Sequence, residues 1–305
     1  MVMKSPEANV VTGAFSHSGK YIAARLLAMG ESVKTLTGHP ERENSFGGRV
    51  SAQPLSFDNP ERLAASLQGA ATLYNTYWIR FPHRWGTFDK AVENSQTLIR
   101  AAEEAGVRRM VHISITNPSE ESPFPYFRGK ALVEKAIIDS KLSYAIVRPA
   151  LIFGAKGILI NNIAWLLRKF PVFAVPGSGD YRVQPIFVED LAEIAVSAGH
   201  KDNNMVTDTA GPETFTFDEL VRLIADKINR RTRIVHASPG LVLFTARLIG
   251  CIVGDVVLTK EEIGGLMANL LVSREPAAGR MRLSQWLAEN AAALGASYAS
   301  ELKRH

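Results

Sequence analysis

Two short stretches carry residue types that can do chemistry. The first, Thr12-Gly13-Ala14-Phe15-Ser16-His17-Ser18-Gly19, lies between an apolar run at Asn9–Val11 and a stretch with apolar positions at Ile22, Leu26 and Leu27. Gly13 permits a turn that a Cβ would hinder, and Gly19 lets a helix approach the strand. The helix's first N–H groups then converge on an anion such as a pyrophosphate. Ser16 stands where a middle glycine is usual; its side chain is small and its hydroxyl can donate to phosphate. The segment predicts a dinucleotide cradle formed by Gly13, Phe15, Ser16, His17, Ser18 and Gly19.

The second stretch, Tyr126-Phe127-Arg128-Gly129-Lys130, opens a predicted helix soon after Thr116. Residues four apart share a helical face, and a nearby ammonium lowers a phenol's pKa from about 10 toward neutrality. Tyr126 is thereby suited to exchange a proton with an alcohol or carbonyl oxygen while hydride passes between that carbon and a nicotinamide. Thr116 can hydrogen-bond the same oxygen, and Lys130 can hold the nicotinamide ribose. Near the adenosine ribose the chain reads Thr37-Gly38-His39-Pro40-Glu41-Arg42. No carboxylate sits at the strand end, whereas His39 and Arg42 can face a phosphate, which favours NADP over NAD as cofactor. Asp58 either accepts from the adenine amino group or caps the next helix. Asn75, Thr76 and Pro149 complete the expected nucleotide contacts. Tyr74–Trp78 and Phe81–Trp85 supply either an aromatic wall near the nicotinamide or packing core. His83 and His112 stand alone, and no spacing suggests a metal site.

The elements that must position these residues follow a βαβ rhythm. Predicted strands at Asn9–Val11, Val33–Leu36, Ser51–Leu55, Thr72–Asn75, Met110–Ile113 and Tyr144–Val147 alternate with helices at Gly19–Met29, Pro60–Leu67, Phe88–Ala105 and Arg128–Ser140. This is the signature of a Rossmann-type α/β fold, a doubly wound parallel sheet with ligands at the carboxyl ends of its strands. After Gly154 the alternation ends. A helix at Ile158–Lys169, a strand at Val183–Val188 and a helix opening at Glu189–Asp190 follow. Thr216-Phe217-Asp218-Glu219 reads as a capping box starting the helix Asp218–Ile228, and the chain from Ser238 reads as mostly helical, including Leu283–Ala291. The expected division is a nucleotide-binding domain over 1–154 and a region over 155–305 that completes the sheet and forms a smaller substrate-side lobe.

With 46% hydrophobic and 21% charged residues among 305, the chain has the composition of a globular enzyme rather than a disordered segment. The net charge of +5 is scattered, which does not point to nucleic acid. One cysteine, Cys251, excludes an intrachain disulfide and fits a reducing compartment, with the cytoplasm as default. The N-terminus lacks the pattern of a secretory signal. Pro239–Leu258 approaches membrane-span length, but Arg247 and Asp255 interrupt it, so a buried or interfacial helix is expected rather than stable insertion.

The motif TGAFSHSG, the stretch AAEEAGVRRMVHISITN (101–117), YFRGK, RPALIFG (148–154) and QPIFVEDLAEIA (184–195) together resemble the short-chain dehydrogenase/reductase superfamily. The resemblance is to its extended or atypical branch of epimerase/dehydratase-like and NmrA-like proteins. A similar arrangement occurs in the nucleotide-binding accessory subunit of mitochondrial complex I. The resemblance implies Tyr126 and Lys130 as the catalytic pair and Thr116 at the Ser/Thr position, with Ser114 competing. It also implies Asn94 as support for a proton relay and a homodimer as a common assembly. Ser16 departs from the motif, and the gap from Thr116 to Tyr126 is shorter than in sugar-nucleotide epimerases. Three functions stay open: an NAD(P)-dependent oxidoreductase or epimerase-like enzyme acting on a small-molecule carbonyl or alcohol, a non-catalytic NAD(P)H-binding sensor or assembly protein, and a membrane-peripheral factor using Pro239–Leu258 as an interfacial helix.

Overall fold

A computed structural model describes residues 8–82, 86–155, 157–300 and 302. The first half of the chain forms β1 (Ala8–Thr12), α1 (His17–Ala28), β2 (Val33–Thr37), β3 (Val50–Pro54), α2 (Pro60–Leu67), β4 (Ala70–Asn75), α3 (Phe88–Glu104), β5 (Arg109–Ile113), α4 (Pro125–Ile138) and β6 (Ser143–Pro149). The second half forms β7 (Leu151–Phe153), α5 (Ile158–Lys169), β8 (Val172–Pro176), β9 (Arg182–Val183), β10 (Pro185–Phe187), α6 (Val188–Gly199), β11 (Met205–Thr209), β12 (Phe215–Thr216), α7 (Phe217–Lys227), β13 (Arg233–Ala237), α8 (Pro239–Val253), α9 (Lys260–Met267) and α10 (Leu283–Asn290).

A seven-stranded sheet has the order β11-β6-β5-β4-β1-β2-β3, and its first six strands in sequence pair in parallel. This is the Rossmann-type α/β arrangement, with the order reversing between β1 and β4. β1 and β5 are buried at every position, as strands covered by helices on both faces must be. On one face Val10, Leu36, Leu73, Met110 and Ile146 pack with Leu63 and Leu67 of α2, Leu98 of α3 and Val133 and Ile137 of α4. Each such fully buried side chain is worth about 1.5–3 kcal/mol.

Two compact units divide the chain: residues 1–148 with 191–207, and residues 149–190 with 208–305. In the first, the returning segment is held by Arg109, which is buried. Its guanidinium donates to the carbonyls of Ala198 (2.9 Å) and Asn203 (3.0 Å) and to the Ser143 hydroxyl (2.5 Å). The second unit has its own core, in which Ile160, Ile163 and Leu167 of α5 meet Leu220 and Ile224 of α7 and Trp286 of α10. The expected capping box is present: Thr216 Oγ1 accepts from Glu219 N (3.1 Å) and Glu219 accepts from Thr216 N (2.8 Å).

Three expectations are corrected. The strand expected over Val183–Val188 is two short strands, β9 and β10, interrupted at Gln184, whose side chain donates to Gly211 O (2.9 Å) and accepts from Ser273 N (3.2 Å). α4 begins at Pro125 rather than Arg128, because proline's fixed φ suits a helix's first turn and its missing N–H is not needed there. The chain after Ser238 is less helical than expected, since no helix covers 269–282.

Gly199, at the end of α6, lies so close to Tyr74 that a Cβ would overlap the Tyr74 hydroxyl. That hydroxyl is buried without a partner among the described residues, and burial pushes its pKa up. Gly199→Ala is expected to lower the unfolding free energy by about 1–3 kcal/mol in urea melts. Tyr74→Phe should be neutral or stabilising. The double variant should recover part of the loss, and simple additivity would show that the two positions are not in contact.

Candidate functional site

The carboxyl ends of β1 and β4, where the strand order reverses, are fastened by one set of short bonds. Thr12 Oγ1 accepts from Thr76 N (2.8 Å) and Tyr77 N (3.1 Å) and donates to Asn75 Oδ1 (3.1 Å), while Thr76 Oγ1 donates to Thr12 O (2.6 Å). The expected nucleotide residues Asn75 and Thr76 therefore use their side chains to brace the sheet. Asn75 Oδ1 also accepts from Tyr77 N (3.0 Å), so its amide nitrogen is left to donate to His112 Nδ1 (3.1 Å). His112 is thus a neutral ring with its proton on Nε2. Burial, with the nearby Lys130 adding to it, holds its pKa well below the ordinary value.

Above this brace the turn from β1 into α1 forms as the glycines require. Gly13 has φ +66°, donates to Leu36 O (2.8 Å), and is followed by Ala14 N donating to Thr35 Oγ1 (2.9 Å). A Cβ at Gly19 would overlap the Gly13 carbonyl oxygen, so only glycine lets α1 seat against the turn. Ser16 Oγ donates to Gly13 O (2.6 Å) and makes no cap bond to the helix, and the first turn of α1 contains no acidic residue. The helix N-terminus is therefore furnished for an anion. Phe15 lies 6.3 Å from Phe46, and His17 meets Tyr21 edge-on at 6.2 Å. Ser18 follows within the first turn of α1, half-buried. Gly38, His39 and Arg42 are exposed just after β2. Asp58 is exposed, but it is not the cap of α2: Asn59 holds that place, accepting from Arg62 N (2.9 Å). Pro149 closes β6 and is buried.

The Tyr126–Lys130 pair lies on α4 as expected, and Thr116 is buried past β5. Lys130 is fully enclosed. Its Nζ donates to Ile113 O (2.8 Å) and sits 4.8 Å from the centroid of Trp78. A Cβ at Gly129 would come within 2.9 Å of the Trp78 ring, so that glycine is what lets the indole lie against α4. Tyr126 is half-buried among Trp78 (6.0 Å, edge-on), Phe88 (5.8 Å) and Phe127 (5.6 Å). Burial pushes the Lys130 ammonium down to about 7, with Glu134 opposing the shift. Ser114 donates to Glu134, whose carboxylate also takes Arg148 Nε (3.0 and 3.1 Å) and its terminal nitrogen (2.5 Å). Asn94 donates to the Tyr77 hydroxyl (2.8 Å), which burial keeps protonated to higher pH than usual. His83 and Trp85 lie outside the described residues, and among the described residues no His, Cys, Asp and Glu cluster could hold a metal.

Residues 13–157 match a family described as NAD(P)H-binding. The chain is similar to proteins of two kinds. One is the mitochondrial NADH dehydrogenase [ubiquinone] 1 alpha subcomplex subunit 9 of Arabidopsis thaliana, 26% identical over 74% of this chain and 59% of its own length. The other is the NmrA-like family domain-containing oxidoreductase flvB of Aspergillus flavus, 25% identical over 75% of this chain and 74% of its own length. A nucleoside-diphosphate-sugar epimerase from Staphylococcus aureus shares the fold, with a TM-score of 0.75 at 18% identity over 92% of this chain and 99% of its own. The chain thus spans less than two thirds of the length of the Arabidopsis protein.

Two residues of the matched segment escaped the sequence reading. Glu134 continues the helical face of Tyr126 and Lys130 by one further step of four, a signal that was available. Trp78 is expected in an aromatic wall or in packing core; its place over Lys130 depends on Gly129, which no periodicity marks. The depressed ammonium has a measurable consequence. Between about 7 and 10.5 the unfolded chain holds a proton on Lys130 that the native one does not, so stability from this group rises with pH across that window. Urea melts are expected to show wild type gaining on Lys130→Met as pH rises, by up to ~1.4 kcal/mol per pH unit. A difference that does not change with pH would mean that the native ammonium stays charged.

Proposed function

We propose that this chain binds NADP(H) at the β1–α1 turn and holds it without turning over a carbonyl substrate. The observation that carries the reading is the enclosure of Lys130: its nitrogen is bonded to Ile113 O and covered by Trp78. An ammonium so placed has a donor committed to the backbone and a face covered by an indole, and its depressed pKa weakens its hold on a tyrosinate. Ser114 is engaged by Glu134 and Asn94 by Tyr77, so two further groups of a proton-transfer system are occupied. The cradle itself suits a dinucleotide, because glycine at 19 lets the first turn of α1 seat directly against the Gly13 turn, where free helix N–H groups favour an anion. The exposed His39 and Arg42, with no carboxylate at the end of β2, support the phosphorylated cofactor.

A second reading, a reductase with Tyr126 as proton donor, draws support from the half-buried Tyr126 sharing a helical face with Lys130. It requires Trp78 to move off α4.

Calorimetry with NADPH and NADH tests what the two readings share, and turnover decides between them. NADPH should bind more tightly, and Arg42→Ala should narrow the gap by about tenfold, as loss of one charge-assisted contact does. Gly19→Ala should abolish binding of both while the circular dichroism spectrum is retained. Wild type and Tyr126→Phe should bind equally and neither should consume NADPH on a panel of aldehydes and ketones. Turnover by wild type that Tyr126→Phe removes would overturn this reading in favour of the reductase. Absence of binding would overturn both.

A further inference from the structure

α8 is apolar on both faces, a pattern expected of a helix buried all round. Its inner face, Val242, Ala246 and Gly250, is buried. Its outer face is not: Leu241 is 54% exposed, Phe244 57%, Leu248 53% and Ile252 80%. These four fall at helical spacing of three and four, one above another along the whole element. Scattered exposed leucines need no explanation, but a continuous stripe does.

The strand pair on which α8 packs has a cationic end. β13 pairs in parallel with β8, Arg233 opposite Val172, and Arg233 N donates to Pro171 O (2.9 Å). The leading ends of these two strands bring together exposed Lys169, Arg230, Arg231 and Arg233 with the exposed rings and branches of Phe170 and Val172. α8 follows β13 directly and packs against β8, so it rests on the strand pair that carries these cations. The helix has no acidic residue, and Arg247 is exposed on it; Asp255, just beyond, is buried.

We infer that the outer face of α8 docks on an anionic lipid surface, lying in the headgroup plane with Leu241, Phe244, Leu248 and Ile252 facing the acyl chains. Apolar burial and attraction of the flanking Lys and Arg to anionic headgroups act together in such binding. The helix does not cross the bilayer, and among the described residues no helix is long and apolar enough to do so. Charge decides between occupants: a negatively charged surface satisfies the basic flank that a second copy of this chain, carrying the same cations, does not.

The test is co-sedimentation of the full chain with vesicles of equal parts phosphatidylglycerol and phosphatidylcholine, beside vesicles of phosphatidylcholine alone. The chain should sediment with the first and not the second, and added salt should weaken the binding. Phe244→Ser with Ile252→Ser, and separately Arg230→Gln with Arg231→Gln, should each lower the binding by about tenfold or more. NADPH affinity should not change in either variant, which shows that they fold. A polarity-sensitive dye on Cys251, the only cysteine and exposed on α8, should shift to the blue with the anionic vesicles. No sedimentation with the anionic vesicles would overturn the inference. So would equal binding to neutral vesicles, or a dimer in light scattering that Ile252→Ser dissolves without any effect on vesicles.

Discussion

The hydroxyl of Thr12 holds the nucleotide end of this fold together. It ties the last residue of β1 to the last residue of β4 across the place in the sheet where the strand order reverses. Everything used for binding is hung from that junction. The Gly13 turn springs from the residue it anchors, and Asn75, oriented by the same bond, sets the protonation of His112. The fixed orientation of a buried amide thus passes along a chain of donors and acceptors in which each member has a single available role.

Deeper in the domain three cationic side chain types are buried, and they are treated differently. Arg109 finds three oxygens, and Arg148, only half-buried, finds the carboxylate of Glu134. Lys130 receives one carbonyl and the face of an indole, which compensates an ammonium less completely than a carboxylate does. His112 avoids the problem by remaining neutral. The gradation explains why a lysine drawn by motif as an electrostatic helper is, in this environment, weakly charged.

Most of the first unit was legible in the sequence because its strands are continuous apolar runs and its helices amphipathic. Every one of the first six strands and four helices stands within a few residues of its expected place. The second half was less so. β7, β8, β12 and β13 are short members of two-stranded pairs, and β13 is exposed or half-exposed at all five positions, so no alternation marks it. At the site, the Gly13–Gly19 turn and the α4 spacing could be read because local backbone geometry dictates them. The partners of Asn94 and Lys130 could not, since Tyr77 and Trp78 come from another part of the chain.

The grip of Arg109 on residues 198 and 203 bears on how the chain reaches its native state. The NAD(P)H-binding match ends at residue 157, yet β11, the strand that covers the outer edge of β6, is not made until residues 205–209. During synthesis, a nascent chain that has just completed the match therefore carries an uncovered strand edge and a buried guanidinium still lacking two of its acceptors. Such an edge is a template for pairing with another chain. The sequence boundary of the family is not a folding boundary, and the ribosome must deliver the second unit's first segment before the first unit can close.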